Sequence, residues 1–145
     1  MNTRSFAASS PTSPTIGLSR WAVPAFGALT ALFALAILLQ VAFAGGAAFG
    51  AMTWGIHAMF GAMVVVIGLL ALVAAVVAGR ERRDIAATLI AFVFALLQPV
   101  TFLLASHVSN WFGMLHAADA VIIAVVLVPL VHAIVRGRGL QSSVV

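Results

Sequence analysis

Leu38-Leu39-Gln40-Val41-Ala42-Phe43-Ala44-Gly45-Gly46, followed a few residues later by Trp54-Gly55-Ile56-His57, decides how this chain folds. An apolar run ends in a Gln, turns without a single charge, and resumes as a second apolar run with a His near its start. The pattern then returns as Leu96-Leu97-Gln98, an uncharged turn, and Trp111 through His116. The interval from Gln to His is 17 residues in the first copy and 18 in the second. This reads as a helix hairpin written twice, with one His at the same depth in each copy.

Around these marks the chain is 145 residues long, 64% hydrophobic and only 7% charged. A water-soluble domain of this size needs a far more polar surface, so lipid is the solvent for most of it. Four apolar stretches, at about 21–44, 52–78, 85–106 and 112–135, are each long enough to cross a hydrocarbon core of about 30 Å as a helix. Barrel strands would instead alternate over about 10 residues. The expected fold is all-α: an integral membrane four-helix bundle, up-down-up-down, built from two hairpin repeats. Residues 1–19, rich in Ser, Thr and Pro, read as a disordered cytoplasmic tail, 20–136 as the transmembrane domain and 137–145 as a second short tail. There is no Cys, which excludes disulfides, thiolate metal sites and c-type haem attachment.

All seven basic residues are Arg, at positions 4, 20, 80, 82, 83, 136 and 138. They flank membrane spans, so their excess sets topology and does not point to nucleic acid. Loops 45–51 and 107–111 carry no Lys or Arg, which predicts a multi-pass protein of the cell membrane with both termini and the 79–84 hairpin cytoplasmic. Ala42-Phe43-Ala44 has the form of a signal-peptidase site, but the apolar run before it exceeds the usual 7–15 residues, and the first stretch is read as a span. Gly45-Gly46 is expected to end the first helix, while Pro99 and Pro129 fall within the third and fourth.

Counting from His57 by alternating fours and threes gives Gly61, Val64, Gly68, Ala71 and Ala75, a face of small residues that allows close approach of a helix or a flat cofactor. The same count from His116 gives Ala120, Ile123, Leu127 and Leu130. In an up-down-up-down bundle the second and fourth helices stand diagonally, so the two imidazoles face each other across the core, as axial haem ligation requires. Asp119, on the His116 side of its helix, could serve as a hydrogen-bond partner to a ligating His, with His57 or His107 as the ring it reaches. Gln40 and Gln98 read as interhelical hydrogen-bonding groups. His107, in the outer loop, could join His57, His116 and Asp119 around a divalent metal. His132 lies sixteen residues beyond His116, near Arg136, and reads as an interfacial residue of the other end.

The run Gln40 to Gly46, then Trp54-Gly55-Ile56-His57-Ala58-Met59-Phe60-Gly61, and the second copy from Gln98 to His116 together resemble one half of the haem A synthase family. In that family each half is a four-helix bundle with a His near the outer start of its second and fourth helices. The resemblance implies His57 and His116 as ligands of a b-type haem, and it implies no reaction. Trp54 stands where the family carries a Glu, Ala58 where it often carries an Arg, and this chain has half the length. The sequence also looks like small four-helix bacterial membrane proteins of unassigned function.

Three functions remain open at this level. The first is a membrane protein that binds one haem b through His57 and His116 near the outer face, with Gly61 and Asp119 beside it, for electron transfer, redox sensing or haem handling. The second is a non-catalytic accessory subunit or scaffold without a cofactor. The third is a divalent-metal site at the outer mouth. The partners expected are the lipid bilayer, a redox partner or larger membrane complex, and a second copy of the chain as a homodimer.

Overall fold

A computed structural model describes the backbone of residues 16–141 and the side chains of residues 21–137. It is all-helical, with α1 Ile16–Ala48, α2 Trp54–Val77, α3 Arg82–His107 and α4 Trp111–Gln141. The expected N-terminal tail falls mostly on residues 1–15, and the end of the C-terminal tail on 142–145, outside the described residues. Ile16 to Ser19, expected in the tail, belong to α1, and α4 continues past its expected end at 135 to Gln141.

All four helices are long and apolar enough to cross a membrane, with mean hydropathy between 2.2 and 2.9 in their best windows. The shortest, α2 at 24 residues, spans about 36 Å at 1.5 Å per residue, more than the hydrocarbon thickness. Val66, Leu70, Val73 and Val77 of α2 are exposed, as the lipid-facing side of a span should be. Trp21, Trp54 and Trp111 stand exposed at the ends of their spans, at the depth where indole anchors to the membrane interface.

Neighbouring helices pack in the ring α1–α2–α3–α4–α1, which leaves α2 and α4 as one diagonal. The buried positions of α2 are His57, Val64, Gly68, Ala71 and Ala75, the expected face, with Gly61 half-buried between them. Phe26, Phe33, Ile37, Ile123 and Leu127 fill the centre against Ala75, Ala91 and Ala95. Small residues on one helix opposite bulky ones on the next let apolar helices pack closely in lipid, where no hydrophobic force separates helix from tail. Thr30 and Thr88, both fully buried, donate their hydroxyls to the carbonyls of Phe26 and Asp84 one turn back, at 2.8 Å each.

The first turn differs from its sequence reading. Gly45 and Gly46 lie inside α1, and the left-handed residue is Gly50, at φ 75°. Ala51 N–H donates to the Gly46 carbonyl (2.7 Å) and Gly50 N–H to the Ala47 carbonyl (3.2 Å), a Schellman ending. Met52 folds back over Gly46, where a Cβ would stand 3.0 Å from Met52 Cε. The α2–α3 turn ends the same way, with Gly79 at φ 60° and Arg80 N–H on the Ala75 carbonyl. The expected charged hairpin is therefore shorter, since Arg82, Arg83 and Asp84 already form the first turn of α3.

Candidate functional site

At the uncharged-loop end, His57 enters from the first turn of α2 and His116 from the second turn of α4. Their rings are 6.0 Å apart between centroids and inclined at 70°. Trp54 stands edge-on to His57 at 5.7 Å, and Phe102 lies 6.1 Å from His116. His57 is only 5% exposed, while His116 is half-buried.

Each His is held by the Gln that precedes it in sequence. Gln40 Nε2 donates to the His57 carbonyl at 3.0 Å, and Gln98 Nε2 donates to the His116 carbonyl at 3.1 Å. These bonds fix which end of each amide is nitrogen, because a carbonyl accepts only. The second hydrogen of Gln40 Nε2 then faces His57 Nε2 at 3.4 Å, which makes that ring nitrogen the acceptor and puts the proton on Nδ1. Among the described residues, His57 Nδ1 and Gln40 Oε1 are buried with no hydrogen-bond partner. A buried polar atom left this way costs about 1–3 kcal/mol, so the pair is an unfinished polar site.

His116 is oriented differently. Its Nδ1 lies 3.0 Å from the Gln98 carbonyl, so Nδ1 carries the proton and Nε2 the lone pair. Thr101 Oγ1 stands 3.3 Å from the same nitrogen. The hydroxyl has one proton and three acceptors in range: the carbonyls of Leu97 (3.1 Å) and Gln98 (3.0 Å), and Asp119 Oδ2 (3.5 Å). Asp119, 7% exposed, is thus reached from Thr101, and not from His57 or His107 as the sequence suggested. Thr101 was missed in the sequence because a Thr in an apolar run usually bonds its own helix, as this one also does. Its position one helical turn after Gln98 was the available signal.

An apolar cavity of about 330 Å³ opens beside the two rings, between α2 and α3. Its floor is Gln40, His57, Gln98 and His116, and its walls include Gly61, Val65, Leu96, Pro99 and Phe102. A smaller void of about 20 Å³ lies one turn deeper, bounded by Gly61 and Ala120, the two small residues the sequence placed below each His. The larger cavity, at about 330 Å³, is at the lower end of the range of small-ligand pockets.

Among the described residues, no three His, Cys, Asp or Glu side chains gather as a metal-ion cage. His107 is the last residue of α3 and is exposed. His132 is exposed on α4, toward the arginine end.

Residues 40–105 match a family of unknown function (DUF6220). The matched stretch starts on Gln40 and takes in the end of α1, all of α2 and most of α3, with His57 and Gln98 inside it and His116 outside. The chain is similar to a family without an assigned activity, and it is a small four-helix membrane protein. No curated protein matches it, and no solved structure does. A relation to haem A synthases is not shown by these comparisons.

Proposed function

We propose that this protein binds one b-type haem through His57 and His116, for electron transfer, redox sensing or haem handling. The observation that carries the reading is the pairing of two imidazoles from diagonal helices, 6.0 Å apart, beside an apolar cavity of about 330 Å³. The donor chemistry agrees. His116 holds its Nδ1 proton against the Gln98 carbonyl, the arrangement that fixes the tautomer and raises the basicity of a ligating His. On His57 the lone pair is on Nε2, whose contact to Gln40 at 3.4 Å is long enough to be exchanged, while Nδ1 carries the proton and has no hydrogen-bond partner.

The haem would supply a reversible one-electron change at iron. The chain's own residues exclude water and fix the ligands: Val65, Leu96 and Phe102 make the surroundings apolar, and Gln98 with Thr101 sets the His116 ring. Asp119, through Thr101, places an acid near that ring, where it would tune a reduction potential. Both termini and the α2–α3 turn would be cytoplasmic, with the site near the outer face, because the arginines lie at the opposite end. The matching Gln-to-carbonyl bonds of the two hairpins support a duplicated origin.

A second reading, an accessory or scaffold subunit without a cofactor, is favoured by those same Gln bonds, which tie helices together whether or not anything is bound. Absorbance of the protein purified after expression with ample haem separates the two. A Soret band with sharp reduced α-bands supports the haem reading. A colourless protein under those conditions overturns it and leaves the accessory reading.

A further inference from the structure

At the arginine end, a second cleft separates α3 from α4, with a volume of about 340 Å³. Arg83 and Asp84 stand at its mouth, and Ala87, Val126, Pro129 and Ala133 line its length. From Ala133 to Val126 the cleft follows seven residues of α4, about 10 Å into the apolar belt at 1.5 Å per residue. Ala87 and Ala133, one from each helix, are small and leave room along its wall.

The charge at its mouth is not balanced. Asp84, only 4% exposed, is taken by Arg80, whose Nη2 and Nε reach Oδ2 at 2.6 and 3.1 Å. The Arg80 guanidinium also lies over the Phe26 ring at 5.3 Å and is fixed there. Arg83 touches Asp84 only at 4.0 Å, and its side chain is 81% exposed. Arg136, exposed, is one turn of α4 beyond Ala133, on the side of the helix that lines the cleft. A guanidinium left without a tight partner at membrane-surface depth, above a groove that runs into the apolar belt, is complementary to a molecule with an anionic head and an acyl tail.

We infer that the α3–α4 cleft binds an anionic phospholipid, its phosphate held by Arg83 and Arg136 and one acyl chain lying along Pro129 and Ala133. The site is separate from the His pair and does not depend on haem.

The test uses the full chain, delipidated in detergent, titrated with dioleoyl phosphatidylglycerol or dioleoyl phosphatidylcholine, with bound lipid counted by native mass spectrometry. One phosphatidylglycerol should be retained in preference to phosphatidylcholine. Arg83→Gln should lower its retention roughly fivefold, and adding Arg136→Gln should lower it further, as expected of cations at the membrane surface. Arg82→Gln, exposed and outside the cleft, should change little. Ala133→Leu keeps every charge but fills the groove, and should also weaken retention; circular dichroism checks that each variant is folded. Equal retention of the two lipids overturns the inference. So does an equal loss from Arg82→Gln and Arg83→Gln, which would mean diffuse surface charge, or full retention in Ala133→Leu, which would mean a headgroup contact without a groove.

Discussion

Gln98 and His116 hold each other reciprocally. The Gln98 side-chain amide donates to the His116 carbonyl at 3.1 Å, and the His116 ring donates from Nδ1 to the Gln98 carbonyl at 3.0 Å. One bond is lost if the Gln side chain is removed, and the other is not, because its acceptor is backbone. Gln98→Leu should therefore lower thermal stability modestly, by about 0.6–1.7 kcal/mol, the range for interhelical hydrogen bonds in membranes. Any haem spectrum should be retained, since the ring keeps its tautomer. A Gln98→Leu protein as stable as the parent, by thermal melting in detergent, would show that the clip contributes nothing.

The four spans were legible in the sequence because length and apolar composition alone determine them in lipid. The inward face of α2 was legible too, because Gly61, Val64, Gly68, Ala71 and Ala75 follow His57 at alternating fours and threes. What the sequence hid depended on contacts across helices. Gly45-Gly46 looked like a turn, but its glycines are inside α1, with Gly46 under Met52, and the left-handed residue is Gly50. Asp84 looked like part of a short charged hairpin; it is buried at the start of α3 and paired with Arg80 from one turn earlier. Thr101 carried no mark of its own, since its role arises only where α4 brings His116 and Asp119 against it.

Gly68 is required by Phe33. A Cβ on residue 68 would stand 2.8 Å from Phe33 Cζ, and that ring is fully buried with nowhere to move. Gly68→Ala should cost about 1–3 kcal/mol, the usual range for overpacking. Phe33→Leu added to it should restore part of the loss, since the clash is with the ring itself. Gly113→Ala is the control: the nearest side-chain atom is Ala105 Cβ at 4.0 Å, and stability should hold or rise. Equal melting temperatures for Gly68→Ala and Gly113→Ala would contradict the close approach of α1 and α2.

The Arg80–Asp84 pair is asymmetric, and so are its mutants. Asp84 is buried, while the Arg80 side chain is 33% exposed. Arg80→Ala strands the acid, softened only by Arg83 at 4.0 Å; Asp84→Ala leaves an arginine that can turn to water. Breaking a buried pair from one side costs about 3–5 kcal/mol, and partial exposure brings the expected loss for Arg80→Ala below that range. Arg80→Ala should be the less stable single variant, and the double variant should recover some of its loss. The reverse order in a melting series would mean the acid is solvated.

The same arginines make a prediction about topology. Reporters fused at either terminus or at Glu81 should read cytoplasmic, and reporters after Gly46 or Ser109 should read external. A cytoplasmic signal at either uncharged loop would invert the bundle and move the His pair to the inner face.

The proposed site makes an ordered prediction. His57→Ala and His116→Ala should each abolish low-spin haem binding or convert it to a weaker high-spin form, because each removes one of the two paired imidazoles. Asp119→Asn should keep the haem but shift its reduction potential, since it removes an acid that Thr101 links to the His116 ring, at 3.5 Å. Thr101→Val should shift the potential in the same direction if the hydroxyl is the link between them. His132→Ala should change nothing, because that residue is sixteen positions further along α4, about 24 Å at 1.5 Å per residue. Reduced and oxidised spectra with a redox titration of each variant read all of these at once. Full haem occupancy in the His57→Ala, His116→Ala double variant would end the haem reading and leave a bundle whose His residues serve only to pack and pin its helices.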